Sequence, residues 1–227
     1  MTITSRPLLP SLLSRIGVAA AAGLALTASA CGFDPEAPSE ELANRLRRRV
    51  FLDVATTSDV DVSATARSGE PLDVDPTVLG GQAVVRTTED GWLLLEDLDI
   101  ALEDVTVPAG TLSPDKPVTF TDLSLRLGTQ LSIAPVGGTE KVITGWGEAD
   151  LLLDWAMVSW HGDVLPLAMR KIEDAPFAVA IELGDDGQIR GAISARVNGV
   201  VDTLGELVVL RDLGLDVQSA EGSVAAR

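Results

Sequence analysis

The 227-residue chain has no tyrosine, one histidine and one cysteine, and only 4% of its residues are aromatic. A lone thiol excludes a disulfide within the chain, and one histidine with one cysteine lacks the clustered nitrogen and sulfur ligands of a zinc site. Cations are scarce as well: 17 Lys+Arg stand against 34 Asp+Glu, a formal net charge of −17. A surface that neutralises phosphates needs the opposite balance, which argues against nucleic acid and against broad electrostatic adsorption to anionic lipid. No Gly-x-Ser-x-Gly elbow occurs, and neither Gly80-Gly81 nor Gly137-Gly138 opens a helix carrying Lys-Ser/Thr. With 34 acids, paired carboxylates are guaranteed by numbers and identify no acid/base pair. His161 lies in Trp160-His161-Gly162-Asp163, which reads as an exposed turn. The expectation is a non-enzyme without metal or cofactor, with a secreted hydrolase using His161 as the alternative that one histidine permits.

Beyond residue 30 no apolar run approaches the ~20 residues that a membrane-spanning helix needs. Before it, Arg6 and Arg15 precede the uncharged segment Ile16 to Leu26, which ends in Ala28-Ser29-Ala30. A basic region, a short apolar region and a small-residue cleavage site form an export signal, so residues 1–30 are expected to be removed. Loss of its two arginines leaves 15 Lys+Arg against the same 34 acids, a formal charge of −19.

The sole cysteine, Cys31, comes directly after Ala28-Ser29-Ala30. This arrangement resembles the lipobox of bacterial lipoproteins, although Ala28 stands where that family usually has leucine. The resemblance covers only about residues 1–33. It implies that Cys31 carries a diacylglycerol group as the mature N-terminus, that the covalent lipid is the only added group, and that the membrane is the partner. Two or three acyl chains hold a domain stably where one would not. Gly32, rather than aspartate, resembles the sorting pattern that sends Gram-negative lipoproteins to the outer membrane. The Ala-x-Ala ending also suits ordinary signal peptidase, which would leave a soluble secreted protein.

Residues 31–38 carry two prolines and no periodicity and read as a spacer. Over 39–50 a short helix is expected: Ser39 can cap it, Glu40 and Glu41 suit its positive end, and Leu42, Leu46 and Val50 form one stripe. Arg45, Arg47, Arg48 and Arg49 either complement the helix dipole or meet lipid phosphates near the anchor.

From Phe51 to the end the period is two, which predicts one antiparallel, mainly β domain: a curved sheet, half-barrel or sandwich. The clearest hairpin joins Phe177-Val179-Ile181-Leu183 to Ile189-Gly191-Ile193-Ala195-Val197 through Gly184-Asp185-Asp186-Gly187. Three segments, around Asp97, Asp122 and Asp212, alternate, slip by one residue, then resume. Since a one-residue slip turns every later side chain over, each must contain a bulge or bend, with the aspartate as a structural residue rather than a calcium ligand. Asp163 to Pro176 reads as loop or short helix, and Trp146, Trp155 and Trp160 gather near it as core, edge cover or ligand platform.

Taken together, these features predict a lipid-anchored envelope protein with a non-catalytic binding or structural role at the membrane surface. The alternative is a carrier of a lipid or other hydrophobic ligand in a curved-sheet cavity. Small inward residues at Gly191, Ala195 and Gly199 would leave room for such a ligand, or would accept bulky neighbours from a facing strand.

Overall fold

The computed structural model describes residues 38–66, 69–158, 161–204, 208–220 and 225–226. One helix, α1 (Glu40–Leu46), precedes strands β1 (Val50–Asp53), β2 (Asp59–Ala66), β3 (Pro71–Val74), β4 (Val78–Thr87), β5 (Leu93–Leu102), β6 (Val105–Val107) and β7 (Val118–Leu127). After these come β8 (Leu131–Thr139), β9 (Val142–Val158), β10 (Val164–Pro166), β11 (Arg170–Leu183), β12 (Ile189–Leu204), β13 (Val208–Gln218) and β14 (Ala225–Ala226). All fourteen strands form a single sheet with antiparallel pairing among the described residues, in the order β14-β1-β4-β5-β7-β9-β11-β12-β13-β2-β3 with β6, β8 and β10 alongside. Of the three expected shapes it is therefore the curled single sheet, not a sandwich.

Alternation sets the curl. Along β11, Phe177, Val179, Ile181 and Leu183 are buried, and they stand opposite Ala195, Ile193, Gly191 and Ile189 of β12. The connecting turn is closed by Gly184 N–H to the Gln188 carbonyl, and Gly187 takes φ 76°, a conformation glycine adopts without strain. The far ends of the sheet meet where Val54 bridges Ser219 and the Ala55 N–H donates to the Gln218 carbonyl. One apolar cluster results, drawn from nearly every strand and from Leu42 and Leu46 of α1. Charges such as Asp61, Arg126, Asp154 and Arg196 point outward and pair with one another, the reverse of a membrane-spanning barrel, whose outer band is apolar.

The helix is shorter than the stripe suggests. Ser39 Oγ accepts from the Leu42 N–H at 3.3 Å, Arg47 caps the other end, and Val50 begins β1 instead of extending the helix. Buried Leu42 and Leu46 plug the end of the curled sheet that carries the β8–β9 and β11–β12 turns. There the Ser39 N–H donates to the Glu140 carbonyl at 2.8 Å, and Arg45 donates to the Gly187 carbonyl.

Asp163 to Pro176 is neither loop nor helix throughout. Val164–Pro166 pairs with β9, and β11 is already formed at Arg170. Pro166 and the Asp174-Ala175-Pro176 step, where Asp174 takes φ 51° and the β11–β9 register shifts, obscure the alternation.

Candidate functional site

Each of the three slipped segments carries a register shift. Opposite Val84 and Val85, β5 presents Asp97 and Leu95, so Glu96 is the extra residue. Between Thr121 and Ser124 the β7–β9 register slips at Asp122, a non-glycine residue with φ 55°. Opposite Ala64 and Ser63, β13 presents Leu210 and Asp212 and skips Arg211. A bulge that absorbs one residue restores the facing of the side chains beyond it. Leu95 and Leu98 are both buried as a result, and Phe120 and Leu123 face the same interior.

That interior is not filled at the end away from α1. The continuous run β3–β4 pairs with β2 along β3 and with β5 along β4. The run β5–β6 pairs with β4 along β5 and with β7 along β6. The two runs are joined where the Glu103 N–H donates to the Thr77 carbonyl at 2.8 Å, and beyond that bond no pairing joins β3 to β6 among the described residues, which leaves a slit between them. Beneath the slit lies a cavity of about 80 Å³. Leu72 and Val74 of β3 and Val105 and Val107 of β6 form its lips, and Phe120 and Trp155 stand within, ring centroids 6.3 Å apart and tilted by 34°. Every lining residue is apolar. Trp155 is buried and its Nε1 has no hydrogen-bond partner among the described residues, and no polar atom of the lining faces the cavity.

The other expected positions lie elsewhere. Cys31 and Trp160 fall outside the described residues, and so do the surroundings of Gly199. Trp146 is 52% exposed on the outer face, so it shares no platform with buried Trp155. Gly191 makes no room: a Cβ there would meet Leu52 Cδ1 at 2.5 Å, so its smallness accommodates a neighbour from β1. Ala195 is buried opposite Phe177.

Of the four arginines, Arg45 pairs with Glu41 at 2.8 Å and Arg49 with Glu96 at 2.6 Å, while Arg47 and Arg48 are exposed. A hydrogen bond from Arg86, helped by Arg49, holds the Glu96 carboxyl below its ordinary value against the opposing effect of burial. His161 is exposed in the turn between β9 and β10. Among the described residues no group of three or more His, Cys, Asp or Glu is placed to hold a metal ion. In a more open depression beside Lys141, Glu182 and Arg190 both cations are already paired, Lys141 with Asp185 and Arg190 with Asp186.

Asp216 of β13 stands directly opposite Asp59 of β2. Burial first, and the Asp59 charge second, push its carboxyl above the ordinary value. The native state therefore keeps a proton that the unfolded chain has lost, and stability falls as pH rises from the ordinary carboxylate value through the raised one. Asp216→Asn should stabilise at pH 7 by roughly 0.5 kcal/mol, the scale of a like-charge cross-strand pair, and the gain should vanish below about pH 4. Thermal melts at pH 7 and at about pH 3, below the ordinary carboxylate value, check this; an equal gain at both would locate the effect outside the ionisation.

Among the described residues no helix is long and apolar enough to cross a membrane. No protein-family model matches the chain, and no curated protein matches it. Among solved structures, similarity is found to Ail, the attachment invasion locus protein of Yersinia pestis, determined in complex with the heparin analogue sucrose octasulfate. The identity is 11%, the TM-score 0.44, and the alignment covers 76% of this chain and 98% of that one, a likeness too distant to bear on what this chain does.

Proposed function

We propose that this chain is an exported lipoprotein, held at the cell envelope through an acylated Cys31, whose β domain takes the end of an apolar chain into the cavity between β3 and β6 without altering it chemically. The observation that carries the binding role is the cavity itself: an apolar void reached through a slit bounded by two short strands. Native interiors are otherwise close-packed, so an apolar void of this size is space that the end of a narrow apolar chain would fill. The tether rests on the sequence before Cys31, and Gly32 directs it to the outer membrane in a Gram-negative host. Ser39 is fixed at the plugged end, and the slit occupies the opposite end of the domain.

Two experiments test the two halves separately. Cys31→Ser should move the protein from the membrane pellet to the soluble fraction; unchanged fractionation would remove the tether. Native mass spectrometry of gently purified protein should show a co-purifying apolar adduct. Ala64→Phe, placed on the buried cavity wall of β2, should fill the void and abolish that adduct while the protein stays folded. Bare wild-type protein would count against the carrier role.

A further inference from the structure

Building on the proposed binding role of the cavity, we infer that the site selects its ligand by charge, taking a single-chain amphiphile with a cationic head in preference to an anionic one. The cavity fixes the tail. At about 80 Å³ it is smaller than the roughly 150 Å³ of an engineered void that takes up benzene, so it admits the end of one narrow alkyl chain and leaves the rest in the slit. The lips fix the head. Lining residues Leu72, Val74 and Pro76 alternate with exposed Asp73 and Asp75, and lining residues Leu102 and Val105 flank exposed Glu103 and Asp104. Asp73 accepts from Ser63 Oγ at 2.8 Å, which fixes its carboxylate beside β2. No lysine or arginine occurs from Gly69 to Val85 or from Thr87 to Asp115, and Lys116 is the cation of the loop between β6 and β7.

A ligand whose tail lies beneath these lips therefore brings its head among four carboxylates. An ammonium group is attracted and a carboxylate or phosphate repelled, and both effects are screened by salt because the groups are exposed. Fatty acids and acidic lipids are disfavoured for the same reason.

The test uses the full chain carrying Cys31→Ser, purified without detergent and titrated calorimetrically with dodecyltrimethylammonium, dodecyl maltoside and dodecanoate, each below its micelle concentration. The expected order is ammonium, then maltoside, then carboxylate, with about a tenfold ratio between the first and last at low salt. That ratio should collapse towards one in high salt and should shrink in the double variant Asp73→Asn with Glu103→Gln, which removes two of the four carboxylates. Equal affinity for all three probes, or a ratio the double variant leaves unchanged, would overturn the charge selection while the cavity's binding role stands. Failure of all three to bind, or binding that survives Ala64→Phe, would overturn both.

Discussion

Replacing Phe177 with alanine should lower stability by about 4 kcal/mol and the melting temperature by roughly 10 °C. Phe177 is 1% exposed and is among the largest fully buried side chains. Its register partners are small on both sides, Gly147 of β9 and Ala195 of β12. The ring thus occupies room that three adjacent strands leave for it, and neither neighbour has a side chain that could swing into the void. A large-to-small change costs most where the surroundings cannot collapse, which places this one towards the upper part of the range for buried aromatics. Chemical denaturation with an unchanged slope is the measurement. A loss under about 1 kcal/mol would mean that β9, β11 and β12 close over the gap, and that the interior is softer than its burial implies.

Gly81→Ala should cost about 3 kcal/mol, although it adds only one methyl group. A Cβ at Gly81 would run into the Asp99 carbonyl oxygen, with Ile100 Cα at 2.9 Å and the Asp99 carbonyl carbon at 3.0 Å. All three are backbone, so no rotamer change relieves the contact. The Gly81 carbonyl also accepts from the Val54 N–H at 2.9 Å, the last link of β1 before the bridge to Ser219. Moving β4 away from β5 therefore pulls on the place where the sheet closes. Gly80 provides the internal control: a Cβ there meets nothing within 4 Å, and only its φ of 145° opposes a side chain. Gly80→Ala should cost about 1 kcal/mol, the conformational penalty without the collision. Equal losses at the two positions would show that backbone conformation, not the approach of β4 to β5, is what glycine serves here.

Neither Phe177 nor Gly81 lines the cavity, and the close packing at each shows what the cavity lacks. Around Phe177 large and small residues are matched across strands, and at Gly191 a glycine receives Leu52. Near the slit no such partner arrives, because β3 and β6 each pair on one edge and separate beyond Thr77 and Glu103. The space left there is a consequence of how the strands part.

Much of the local structure was legible in the chain. The β11–β12 hairpin arises from two alternating runs around a glycine-flanked turn, and α1 from a serine cap, acidic first-turn residues and a leucine pair. The slips at Asp97, Asp122 and Asp212 coincide with register shifts because a pleated strand cannot accept an extra residue without one. Other expectations went astray where the local signal is ambiguous. Val50 continues the spacing of Leu42 and Leu46, yet a buried valine serves β1 equally well. Gly191 could be read as open space or as a receptor for a neighbour, and only Leu52, 139 residues away in the chain, decides between them.

The site itself was not legible, for a physical reason. Period, caps and turns are set by interactions among residues a few positions apart, so the sequence already contained the mainly β character, the bulges and the acidic surface. Which apolar faces come together, and where they fail to, depends on pairings between distant segments. Leu72, Val105, Phe120 and Trp155 lie on β3, β6, β7 and β9, and none carries a mark that sets it apart from other inward residues. Their shared cavity exists because the sheet closes through Val54 and Ser219 on one side and parts above Thr77 and Glu103 on another.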